Sequence, residues 1–128
     1  MRRVLLILSV LLFLMGCAAP VEDGYQQINM NEAIAMMEEE TEYIILDVRT
    51  SEEFAQRHIP GAINVPNEII ETQALSKLPD KDQLIMVYCR SGSRSKQASE
   101  KLVALGYTNV VEFGGINDWQ GETVSGDT

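Results

Sequence analysis

The sequence predicts an α/β domain, with a mostly parallel central sheet of about five strands and helices on both faces. Three observations lead there. Short apolar, β-branched runs recur along the chain, at residues 43–46, 84–88 and 110–113. Segments with helical apolar spacing lie between them, at residues 30–40 and 96–105. No internal repeat or low-complexity tract breaks this alternation. Strands that alternate with helices form crossover units, and these bury a parallel sheet between two helical layers. A chain of 128 residues has room for one such domain with a sizeable core, and not for two.

The first stretch falls outside that domain. Met1-Arg2-Arg3 is a basic head, and residues 4–14 are an apolar run of eleven interrupted by Ser9. That is too short to span a bilayer but suits the core of a signal peptide. Leu14-Met15-Gly16-Cys17 follows. It resembles a bacterial lipobox, which implies cleavage before Cys17 and lipid on its sulfur. The expected layout is a signal peptide over residues 1–16, a lipidated tether over 17–24, the folded domain over 25–120 and a flexible tail over 121–128. Such a chain is held at a membrane by its lipid in the cell envelope, outside the cytoplasm. Cys89 is then the one thiol left, so neither an intramolecular disulfide nor a multi-cysteine zinc site is expected.

Charge narrows the partners. The formal net charge is −9, and without Arg2 and Arg3 it is −11. A surface this acidic argues against nucleic acid, which requires cationic patches. It also sets apart the few arginines near Cys89.

Within the domain, residues 25–28 read as an edge strand or extended arm. Asn29 or Asn31 can cap a helix over residues 30–40, with Ala33, Ile34 and Met37 on one face. The run 43–46 is a strand that ends at Asp47-Val48-Arg49. Thr50 and Glu53 have capping-box spacing ahead of a short helix through residue 56. Pro60-Gly61 is a turn, and residues 62–65 are a short strand. Residues 67–78 suggest one or two helical turns. After the strand at 84–88 and the helix at 96–105, Gly106 ends the helix and residues 110–113 form the last strand. Gly114-Gly115 permits a close backbone approach, and Trp119 is expected in the core.

The chemistry centres on Tyr88-Cys89-Arg90-Ser91-Gly92-Ser93-Arg94-Ser95. One cysteine stands at the carboxyl end of a strand, followed by small and cationic residues and then a helix. The first amides of a helix lack intrahelical partners and carry partial positive charge. A loop curled over that end can aim several N–H groups at one anion. Those amides, with Arg90 and Arg94, are expected to stabilise a Cys89 thiolate, the nucleophilic form. Asp47 and Arg49 stand at a neighbouring strand end, where ligands of parallel sheets collect, and are expected to form a structural ion pair. His58 is the only histidine. It is expected to fix a loop rather than act as base, because a thiolate held by amides needs none.

Four segments, in order, resemble the motifs of a single rhodanese domain: Leu46-Asp47-Val48-Arg49, His58-Ile59-Pro60-Gly61-Ala62-Ile63-Asn64-Val65-Pro66, Tyr88 through Ser95, and Phe113-Gly114-Gly115-Ile116-Asn117-Asp118-Trp119. Arg57 stands where family members usually carry Gly, which touches only the local turn. The resemblance implies a rhodanese-like fold and sulfur transfer. The Cys89 thiolate attacks the outer sulfur of thiosulfate or another sulfane donor, and a small or protein thiol, or cyanide, later removes that sulfur. By the same resemblance, the amides from Arg90 to Ser95 cradle the sulfur, and Arg90 and Arg94 hold the oxyanion of the donor. No metal or organic cofactor is expected. Phosphatases and arsenate reductases related to this fold place five residues between Cys and Arg, whereas four separate Cys89 from Arg94. A carrier or sensor that forms the persulfide without turnover fits the same residues.

Overall fold

The computed structural model describes residues 24–127. The expected signal peptide, Cys17 and most of the tether lie outside them. In chain order the elements are β1 (Gln26–Gln27), α1 (Met30–Glu39), β2 (Ile44–Asp47), α2 (Ser51–Gln56) and β3 (Ile63–Asn64). A 3-10 turn (Asn67–Ile69) then runs into α3 (Ile70–Lys77). After it come β4 (Ile85–Cys89), α4 (Ser93–Ala104), β5 (Val110–Gly115) and a last 3-10 turn (Ile116–Asp118).

The five strands form one parallel sheet in the order β1-β5-β4-β2-β3. β4 is central, and all five of its residues are buried. Side chains alternate between the two faces of a strand. On one face Leu46, Val87 and Cys89 pack with Ala74 of α3 and Ala98 and Leu102 of α4. On the other, Ile45, Met86, Tyr88 and Phe113 pack with Ala33 of α1 and Phe54 of α2. The predicted helical cover on both faces is therefore present, and Cys89 lies on the α4 side.

Local chemistry sets the boundaries. Asn29, not Asn31, caps α1: its Oδ1 accepts from the Glu32 amide at 2.8 Å. Thr50 caps α2, with its Oγ1 accepting from the Glu53 amide at 3.2 Å. α4 begins three residues before the apolar pattern shows, because Gly92 at φ +112° turns the chain directly from loop into helix. β5 runs on to Gly115 through a bulge that sets Gly115 opposite Cys89.

The segment after Gly121 differs from the frayed tail the sequence suggests. The His58 amide donates to the Val124 carbonyl at 2.8 Å, and the Val124 amide returns a bond at 2.9 Å. The Gly126 amide donates to the Ala55 carbonyl at 2.7 Å. The physical reason lies at the end of α2, where the last carbonyls lack helical partners and the tail supplies one. Trp119, expected in the core, is half-buried against the Phe113 layer and donates Nε1–H to the Glu122 carbonyl at 2.9 Å. Among the described residues no helix is long and apolar enough to cross a membrane.

Candidate active site

Cys89 ends β4 in the middle of the sheet, and the chain turns at once over its sulfur. The Gly92 amide donates to Cys89 Sγ at 3.0 Å, and Ser95 Oγ lies 3.4 Å from the same sulfur. Burial pushes the Cys89 thiol up, but hydrogen bonds from the Ser95 hydroxyl and from the Ser95, Gly92 and Ser91 amides outweigh it. The net direction is down, towards thiolate. The groups that bond Cys89 Sγ itself are those of Ser91, Gly92 and Ser95, and Arg94 adds an electrostatic attraction to the same sulfur.

Glycine makes the loop possible at two places. Gly92 takes the left-handed backbone that starts α4. Gly115 lies so close to the loop that an added Cβ would overlap the Arg90 carbonyl and crowd the Ser91 amide. The Asn117 amide donates to that same carbonyl at 3.2 Å, which fixes the loop to the turn after β5.

The loop side chains separate by role. Ser91 and Ser93 are exposed, whereas Ser95 is fully buried. Arg90 is exposed and borders a cleft of about 200 Å³ shared with Arg49, Glu53, Gln56, Arg57 and Asn117. Arg94, expected to face a donor, instead makes a bidentate pair with Glu53 at 2.7 and 3.0 Å. Glu53 is thereby lowered to about 2, chiefly by the Arg94 hydrogen bonds, with help from Thr50. Capping-box spacing already explained Glu53, so nothing local flagged a partner 41 residues away.

Asp47 and Arg49 are buried and paired to each other. Arg49 Nε lies 3.1 Å from both Asp47 oxygens, and Nη2 donates to Oδ2 at 2.7 Å. The Arg49 amide also donates to Asp47 Oδ1 at 2.9 Å. Nη2 additionally donates to the Arg57 carbonyl. The pair joins the end of β2 to the end of α2, in keeping with an architectural role, and Arg49 reaches the cleft as well. His58 is fully buried and stacks on Phe54 with ring centroids 3.7 Å apart. Its Nδ1 is 2.8 Å from the Phe54 carbonyl. Both contacts tie the ring to α2, which is the arrangement a loop-fixing part would require.

Sequence reading missed Glu112. This residue of β5 is 2% exposed, and its Oε1 accepts from Ser95 Oγ at 2.7 Å and from the Gly114 amide at 2.8 Å. An acid between apolar neighbours, two residues before Gly114-Gly115, was the available signal.

Comparison with known proteins agrees with this geometry. Residues 29–122 match the rhodanese-like domain family. The chain is 41% identical over 73 residues to thiosulfate sulfurtransferase PspE of Escherichia coli (strain K12), covering 57% of this chain and 70% of that protein. It is 36% identical over 80 residues to the putative sulfur carrier protein YrkF of Bacillus subtilis (strain 168), covering 62% of this chain and 42% of that protein. The structure of a rhodanese with anions from E. coli superposes with a TM-score of 0.62 at 38% identity, covering 66% of this chain and 99% of that one. With a family match over most of its length, and a buried cysteine cradled at the carboxyl end of the central strand, the chain belongs to the rhodanese-like domain family.

Proposed function

We propose that this protein is a sulfurtransferase that carries a sulfane sulfur on Cys89, from thiosulfate or a related anionic donor to a thiophilic acceptor. The observation that carries the reading is the amide and hydroxyl cradle around Cys89 Sγ, which favours the attacking thiolate. The thiolate attacks the outer sulfur of the donor. A new S–S bond forms, the S–S bond of the donor breaks, and sulfite leaves with the electron pair. A small or protein thiol, or cyanide, then attacks the outer sulfur of the persulfide, and Cys89 departs as thiolate. This is a two-step displacement with ping-pong kinetics. Arg90 and Arg57 border the cleft beside the loop and suit the oxyanion part of the donor. The relative named as a thiosulfate sulfurtransferase supports the same donor class. The relative named as a putative sulfur carrier favours a second reading, in which Cys89 passes its sulfur only to one protein partner. The apolar run at residues 4–14 and Cys17 support a lipid-anchored location in the cell envelope.

The test is intact mass of the full chain after brief exposure to thiosulfate, with cyanide-dependent thiocyanate followed in the same sample. One added sulfur that cyanide removes with turnover is the expected result, and Cys89→Ser abolishes both signals while keeping the fold. An added sulfur without turnover favours the carrier. Turnover retained by Cys89→Ser refutes the nucleophile.

A further inference from the structure

We propose that Glu112 is a positioning residue for the proton of Cys89, receiving it through the Ser95 hydroxyl when the thiolate forms. The inference rests on Cys89 being the working thiol and assigns where its proton goes. Three groups stand in line: Cys89 Sγ lies 3.4 Å from Ser95 Oγ, which lies 2.7 Å from Glu112 Oε1. The Gly92 and Gly114 carbonyls also lie within reach of Ser95 Oγ, at 2.9 and 3.4 Å, and the Glu112 oxygen is the nearest acceptor. Ser95 brings one proton to this line. With Cys89 as thiol, S–H points at Ser95 and the hydroxyl donates to the Glu112 carboxylate. With Cys89 as thiolate, the hydroxyl donates to sulfur and Glu112, now carrying a proton, donates to Ser95. Two protons shift by one position each, no other bond changes, and the site keeps one negative charge throughout.

The surroundings favour one shared charge over two. Glu112 is nearly inaccessible, and among the described residues no ion pair includes it. Its strand packs against β1, β4, α4 and α1, and the α1 acids Glu32, Glu38 and Glu39 are exposed. Tyr25, just before β1, is buried in the same layer, while Tyr88 of β4 lies on the opposite layer. On α4, Arg94 is engaged by Glu53, Lys101 by Asn67, and Lys96 and Glu100 are exposed. Two buried anions joined by one hydroxyl repel, and among the described residues no cation forms an ion pair with Glu112, while the cation that acts on the thiol, Arg94, is already paired with Glu53.

The experiment follows thiolate ultraviolet absorbance of the full chain against pH, as the difference from Cys89→Ser. The wild-type signal is expected to rise in two steps, a partial one and a second when the shared proton leaves. Glu112→Gln keeps the shape and can still accept from Ser95 and Gly114 but takes up no proton, so its curve is expected to lose one step. A second measurement needs no Glu112 variant: the infrared carbonyl band of a protonated carboxyl, expected near neutral pH in the wild type and absent from Cys89→Ser. A tie that is only structural lowers the melting temperature of Glu112→Gln without changing the number of steps. A single wild-type step with no infrared band overturns the proposal. Neither readout depends on sulfur transfer. A persulfide with one step refutes this inference alone, and two steps with no persulfide refute only the function.

Discussion

Removing the Arg49 guanidinium with Arg49→Met leaves Asp47 with no counter-charge at a fully buried position. Asp47 loses three of the four hydrogen bonds that Arg49 supplies, keeping only the one from the Arg49 amide. Breaking a buried pair by deleting one partner costs about 3–5 kcal/mol, because the other charge stays desolvated. Against a total stability of about 5–15 kcal/mol, this removes a large fraction. For a domain near this size the loss lowers Tm by roughly 12–40 °C. Urea and thermal melts of wild type, Arg49→Met, Asp47→Asn and the double variant give the coupling directly. The double variant is expected to recover at least about 1 kcal/mol relative to Arg49→Met, since the amide introduced by Asp47→Asn carries no charge and can still accept from the Arg49 backbone N–H. An Arg49→Met protein that melts within a few degrees of wild type, with the double variant no better, would falsify the reasoning. The pair would then not be what holds the ends of β2 and α2 together.

Other outcomes follow from the same geometry. Gly115→Ala forces a Cβ into the Arg90 carbonyl and is expected to cost about 1–3 kcal/mol by overpacking. Displacing the cradle should also slow persulfide formation by roughly 10²-fold, read by intact mass. Glu53→Gln tests the tie between α2 and α4. The folded Glu53 is held at about 2 against its ordinary 4.5, so its contribution is complete above about 4.5 and disappears as pH falls through about 2. With its side chain partly exposed, solvent screening reduces that contribution to about 1 kcal/mol at neutral pH. Glu53→Gln should lose that amount at pH 7 and show a flatter stability curve on the acid side, measured by denaturant titration. His58→Ala removes the Phe54 stack and should cost about 2 kcal/mol. Its rate of persulfide formation per folded molecule should stay unchanged, and a rate loss in a fully folded variant would show that the ring acts on the thiol.

The legible parts were those whose causes are local. Apolar runs mark β2, β4 and β5, and Thr50 and Asn29 mark helix starts by side chains that bond only three residues away. Cys89 and its small, cationic neighbours likewise form one continuous stretch. What stayed hidden depends on contacts across the fold. Val111-Glu112-Phe113 alternates as a half-exposed strand does, yet the sheet order places β5 between β1 and β4 and buries the acid. Arg94 looked free for a ligand because Glu53 lies far away in sequence. The start of α4 was masked by Ser93, Arg94 and Ser95, which read as loop residues until Gly92 supplies the turn. The tail carries no apolar periodicity, and only the open end of α2 explains why it is held.

The sheet ends at both edges in strands of two residues, β1 and β3. An edge so short offers few free backbone donors and acceptors for another chain to template on, so ribbon-like association has little to grip. The strand that bears the thiol is enclosed by neighbours on either side and can be met only end-on. A second copy cannot pair with it along its length, so copies of the protein can be crowded together without their reactive strands finding one another.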